Sequence, residues 1–157
     1  MERLEIIETL KHLPDNVEAE VNGASEAVLR YRPAEGEWSI KEIVGHLRDA
    51  AEVWHKRIYM TASQTDPRFP AWDGEAWVRE RFYWEADLGN MIDEMRGWRL
   101  KTVDVLVHAV DWTRLGQHGD IGRRSLKQWG EFMIEHEAGH IASIRALKDA
   151  QPAARPA

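Results

Sequence analysis

The chain has no cysteine. That excludes a disulfide scaffold, a thiolate metal site and a cysteine nucleophile, and it agrees with a cytoplasmic location. It has no basic run either. Its 21 Lys and Arg against 27 Asp and Glu give a formal charge of -6, spread along the sequence, so nucleic acid is not an expected partner. No apolar stretch reaches the roughly 20 residues that a bilayer-crossing helix needs, so no membrane is expected. The first residues are acidic and amphipathic rather than leader-like. Strand-like alternation of useful length is missing, and so are internal repeats. Phenylalanine is scarce, three against eight tryptophans. In a helical protein such indoles fill irregular core space more often than they line a pocket. What these absences leave, at 157 residues, is a single domain over residues 1–150 with a core of its own. Residues 151–157, with Pro152 and Pro156, are expected to be a disordered tail.

What is present is helical periodicity. Ile6, Leu10, Leu13, Val17, Val21, Ala24 and Val28 keep steps of three or four and predict a first helix, kinked or divided at Pro14. Ser39 and Glu42 form a capping box, with Trp38 and Ile43 placed as its apolar staple. The helix they start continues through Leu47, Ala50, Trp54 and Ile58 and carries His46 on its inner side. Residues 61–74, with Pro67 and Pro70, read as a long crossover loop, and Asp73 caps the next helix. From Trp77 the series Trp84, Leu88, Met91, Met95, Trp98, Thr102 and Val105 predicts one long helix, ending near Val110 to Trp112. Residues 114–124 hold Gly116, Gly119 and Gly122 and read as a loop carrying His118. A last helix begins near Ser125. The fold class is all-α, four main helices.

The chemistry concentrates in His136-Glu137-Ala138-Gly139-His140 on that last helix. The apolar residues Leu126, Trp129, Met133, Ile144 and Leu147 form one stripe, and His136 and His140 fit that same stripe. Imidazoles at i and i+4 can share one ion. The pattern is also HExxH, which in zinc proteases makes the glutamate a general base. That reading lacks its third ligand: the extended signature would place glycine at 143 and histidine at 146, where this chain has Ser143 and Ala146. Asp149 stands too close to His140 to be the usual distant glutamate. The better third ligand lies upstream, at His46. Three neutral imidazoles from two helices give a site with open positions, the usual form of a catalytic centre, suited to zinc, nickel, iron or manganese. Without an ion, every buried ring nitrogen would need a partner. Glu137 sits about 100° round the helix from His136, where it would orient a ligand or bound water, or be solvated. Asp49, one turn after His46, would support a ligand imidazole or be a surface charge. His118 would be a proton shuttle or substrate contact, or a plain loop residue. His12, His55 and His108 read as structural or solvated.

Trp38-Ser39-Ile40-Lys41-Glu42-Ile43-Val44-Gly45-His46-Leu47-Arg48-Asp49 resembles the W-S-x-x-E-x-x-x-H-L-x-D block of the DinB-like (DinB/YfiT) superfamily. His136 to Ile141 resembles its C-terminal H-x-x-x-H block, and the 114–125 loop with His118, Gly122 and Ser125 is also similar. The resemblance runs from about residue 3 to 149. It implies a four-helix bundle with a long crossover connection and a divalent metal held by His46, His136 and His140. It further implies a metal-dependent enzyme acting on a small-molecule substrate, either an S-transferase using a low-molecular-weight thiol or a hydrolase, and bundles that form homodimers. Family members often have aspartate where this chain has Glu137, so no catalytic role is carried onto it. A thiol's carboxylates would find cations at Arg48, Arg123 or Arg124. The alternative is a non-catalytic metal-binding or stress-induced bundle.

Overall fold

A computed structural model describes residues 1–152 of the chain. Of the tail expected to be disordered, residues 153–157 lie outside the described residues. In chain order the elements are α1 (Arg3–Val21), α2 (Glu26–Arg30), α3 (Ile40–Ser63), α4 (Gly74–Glu80), α5 (Leu88–His108), β1 (Leu115–His118), β2 (Gly122–Ser125) and α6 (Leu126–Asp149). A single 3-10 turn, Tyr83–Glu85, stands between α4 and α5. The four long helices form the bundle expected. α1 and α3 each pack against both α5 and α6, so the order round the bundle is α1, α5, α3, α6. Ile6 and Leu10 of α1, Leu47 and Ile58 of α3, Met95 and Leu106 of α5, and Trp129 and Ile144 of α6 fill the centre, all but inaccessible to water.

α1 passes through Pro14 without dividing there, so the division that the sequence allowed at this residue does not occur. Proline lacks the N–H that would bond the carbonyl four residues earlier. That carbonyl belongs to Leu10, and Arg99 of α5 donates to it from Nη1 at 3.0 Å. Arg99 is buried and forms a two-pronged ion pair with Glu137 of α6. One guanidinium therefore replaces the missing helical bond and joins three helices. The break comes instead at Gly23, where φ is +77°, a conformation open to glycine. Ser25 then caps α2 by accepting from the Val28 amide.

The capping box at the start of α3 forms as expected. Ser39 Oγ accepts from the Glu42 amide at 3.2 Å, and Glu42 Oε1 accepts from the Ser39 amide at 3.0 Å. Arg32 clamps the same carboxylate from Nε and Nη2 at 2.7 and 3.0 Å. α3 runs on to Ser63, and the crossover spans residues 64–87, with Asp73 capping α4.

Two expectations fail. The helix drawn from Trp77 is interrupted: Phe82 turns left-handed with φ 52°, and Asp87 caps a new helix by accepting from the Asn90 amide at 2.8 Å. The apolar spacing stays in phase across the break, so periodicity alone does not reveal it. The break buries Tyr83 against Gly45 so closely that a Cβ there would stand 2.2 Å from the ring. The second failure is the 114–124 loop, which is a β-hairpin pairing Leu115 with Ser125 and His118 with Gly122. Strands of four residues are too short to show alternation. The crossover docks on the outer edge of β1: the Phe69 amide donates to the Gln117 carbonyl, and the Gln117 amide to that of Pro67, both at 2.8 Å.

Candidate metal centre

α6 begins at the Ser125–Gln128 capping box and presents Leu126, Trp129, Gly130, Met133, Glu137, Ile141, Ile144 and Leu147 to the core. The buried stripe thus runs through Glu137 and Ile141. His136 and His140 stand at its edge, half-buried, rather than on it. From α3, His46 reaches the same place and is 7% exposed. The three candidate ligands therefore come together. His136 Nε2 lies 3.4 Å from His46 Nε2 and 3.2 Å from His140 Nε2, and all three donor atoms are within 4.8 Å of one another. Nitrogens held at about 2.0–2.1 Å by a tetrahedral ion stand roughly 3.3 Å apart, so the two short separations fit one shared cation.

The electrostatics agree. Burial, with the neighbouring imidazoles, pushes His46 down to about 3 and His136 down to about 4, and burial lowers His140 as well. At neutral pH all three rings are uncharged and can offer lone pairs. A neutral ring carries a single N–H, so the three converging Nε2 atoms cannot satisfy one another. His46 Nδ1 is buried with no partner at all. A metal-free cluster would leave the Nε2 atoms unmet, whereas His46 Nδ1 lacks a partner with or without an ion.

Aromatic rings hold each imidazole in place. Trp72 stacks on His46 with the planes 3° apart and centroids at 5.5 Å. Trp38 sits 5.0 Å from His46 and 6.4 Å from His140, and Phe132 stacks on His136 at 6.1 Å. Gly74, the first residue of α4, closes on His46: a Cβ there would be 2.9 Å from Cε1. Trp38, expected as a staple, lies against two of the histidines. Trp72, Gly74 and Phe132 escaped the sequence reading. The surplus of tryptophan was a signal for Trp72 alone. Beyond His140 a cleft of about 710 Å³ opens, walled by Trp38, Ser143, Leu147, Glu75 and Arg79. Its size is that of a small-molecule site.

Several neighbouring expectations are corrected. Glu137 is neither solvated nor turned to the imidazoles; it is buried against Arg99. Asp49 is neither a surface charge nor a support for a ligand ring. It is wholly buried, and its Oδ1 accepts from the Tyr83 hydroxyl at 2.5 Å, Arg81 at 2.9 Å and Arg48 at 3.1 Å. Burial raises the Asp49 carboxyl despite these donors and, with Asp49 beside it, pushes the Tyr83 phenol up to about 12. Arg48 is committed to Asp49, Glu52 and Glu94, and Arg123 to Asp66. Arg124 alone of the three lies against rings, over Trp129 and Phe132. His118 is outside the three-histidine cluster, on the hairpin, with Nδ1 accepting from the amides of Asp120 and Ile121. His12 and His108 are exposed beside acidic residues, and His55 faces Thr102.

The family model described as the DinB superfamily matches residues 9–144. Among solved structures, YfiT from Bacillus subtilis, described as a probable metal-dependent hydrolase with an unusual four-helix bundle topology, has a TM-score of 0.87 to this chain. The two are 20% identical, and the match covers 94% of this chain and 86% of that one. A likeness at that identity establishes the fold. A search of curated protein sequences finds no match. Among the described residues no helix is long and apolar enough to cross a membrane.

Proposed function

The chain belongs to the DinB superfamily, and from that premise we propose that it is a metal-dependent enzyme whose ion is held by His46, His136 and His140. The observation that carries this reading is the convergence of three uncharged imidazoles whose Nε2 atoms cannot satisfy one another. A divalent ion there supplies Lewis acidity, lowering the pKa of a thiol or a water so that a nucleophile is available at neutral pH. The chain's own residues do the rest. Trp38, Trp72 and Phe132 orient the rings and keep bulk water from their faces. Gly74 lets α4 close over His46, and the cleft beside His140 admits a small molecule.

With no cysteine in the chain, any thiol must come from a low-molecular-weight cofactor. Thiol-dependent S-transfer and hydrolysis use the same three ligands and an open position, and both belong to this proposal. Which ion is bound follows from availability as much as from three imidazoles. The test is metal content of the tag-free protein beside His46→Ala. About one divalent ion per chain in the wild type and a small fraction of that in the variant supports the site, and transferase and esterase assays then separate the two reactions. No ion in either protein, with reconstitution by zinc, nickel, iron and manganese also failing, overturns the reading.

A further inference from the structure

Arg57 is 4% exposed, no carboxylate pairs with it among the described residues, and its Nε is buried without a partner. Its single hydrogen bond runs from Nη2 to the Pro70 carbonyl at 3.2 Å. Burial draws its pKa down to about 10, which still leaves it charged at neutral pH. A buried charge without a counter-ion is costly, and a fold normally pairs it or loses it. Arg99, the other deeply buried arginine, has Glu137; Arg57 has only the faces of Trp54 and Phe69, at 4.7 and 5.5 Å.

The surroundings repeat the pattern. Arg124, half-buried on β2, has no ion-pair partner among the described residues and lies over Trp129 and Phe132 at 5.6 and 5.9 Å. Both rings touch Trp54, with centroids at 5.3 and 5.0 Å. His118 stacks parallel to Trp54 at 6.5 Å. Because its Nδ1 accepts two backbone N–H groups, the proton of the neutral ring is on Nε2, which is left as a donor. Burial, with Arg57 beside it, holds the imidazole below its ordinary range, while Asp120 on the hairpin turn pulls weakly the other way.

We propose that Arg57, Arg124 and the Nε2–H of His118 form a binding site for an anionic group, a carboxylate or a phosphate, on the aromatic shelf of Trp54 and Phe132. Phe132 stacks on His136, so the shelf leads to the metal centre. The anion is the tail of the substrate or thiol cofactor whose reactive end is at the three histidines. That last assignment rests on the metal reading; the anion site itself does not.

The experiment uses full-length, chelator-treated protein, so that no bound ion can report in place of the arginines. Inorganic phosphate and, in a separate arm, acetate are titrated while the His118 ring is followed by NMR, assigned with His118→Gln. Binding raises the His118 pKa by about one unit, as a facing anion should. The arm with the lower Kd tells phosphate from carboxylate. Arg124→Gln weakens binding at least tenfold, and Arg57→Gln abolishes it. Arg123→Gln, which loses only the Asp66 pair, leaves binding unchanged. Arg124→Gln keeps the test decisive should Arg57→Gln fail to fold. A His118 resonance indifferent to both anions, or equal affinities in Arg124→Gln and Arg123→Gln, overturns the site. If the protein takes up no metal but phosphate still moves His118, the metal reading fails and the anion site stands.

Discussion

Glu137 and His136 are adjacent in sequence and meet opposite ends. Glu137 is buried, and its carboxylate is answered by Arg99, whose remaining reach goes to the Leu10 carbonyl. His136 stands half-buried at the edge of the same helix face, its nitrogen facing two other nitrogens that cannot all be satisfied. One polar cluster is closed, the other open. A closed cluster holds a fold together; an open one is incomplete until something binds. Both contain residues of the HExxH stretch, so the motif is shared between architecture and chemistry, whereas in a zinc protease all of it serves the reaction.

The contrast can be broken at its closed end first. Glu137→Ala leaves the Arg99 guanidinium buried and unpaired, and is expected to destabilise the protein by about 3–5 kcal/mol in urea unfolding. Metal content per folded chain should stay near that of the wild type. A loss of metal with unchanged stability would reverse the assignment of the two clusters.

The open end should respond to the ion. At a free metal concentration about a hundred times its Kd, the holoprotein gains roughly 2.7 kcal/mol over the chelated form. In His46→Ala the chelator should make no difference to the melting temperature. Gly74→Ala tests the approach of α4 to the site. Its methyl group would press on His46 Cε1, and metal affinity should fall about tenfold, as when a supporting contact to a ligand is disturbed. An unchanged affinity by competition with a chromogenic chelator would show that the ring has room to move.

A further effect is in pH. His46 and His136 sit at about 3 and about 4 in the folded chain, against the ordinary value near 6.5. Above pH 6.5 both states hold these rings neutral and the depression has no effect. Below it the unfolded chain takes up protons that the folded chain refuses, so the metal-free protein loses stability as pH falls, by up to about 1.4 kcal/mol per imidazole per pH unit, levelling near pH 4 to 3. A His46→Gln, His136→Gln double variant should show a shallower acid limb in urea titrations between pH 7 and 4.

The bundle and the meeting of the three histidines were legible because both rest on local rules: three-and-four spacing, capping boxes at Ser39 and Ser125, and an i, i+4 histidine pair. What was hidden depends on distant partners. No local pattern says that Arg99 replaces the amide missing at Pro14, so a division was allowed there, whereas the chain leaves the helix at Gly23. The left-handed Phe82 leaves the apolar register intact, and the four-residue strands of the hairpin carry no readable alternation. The stripe on α6 could be drawn through 136 and 140 or through 137 and 141. Only the position of Arg99, 38 residues away from Glu137, decides between them.

The junction of Leu10, Arg99 and Glu137 also has a consequence for how the molecule breathes. α1, α5 and α6 meet at one guanidinium, and none of the three can swing away without exposing a proline-orphaned carbonyl, a cation and a carboxylate together. Fraying from the ends should therefore stop there, and the three helices should open as one cooperative unit. In native-state hydrogen exchange, amides of these helices near the junction should share a single opening free energy, while the β-hairpin and residues 64–87 exchange through smaller, local events.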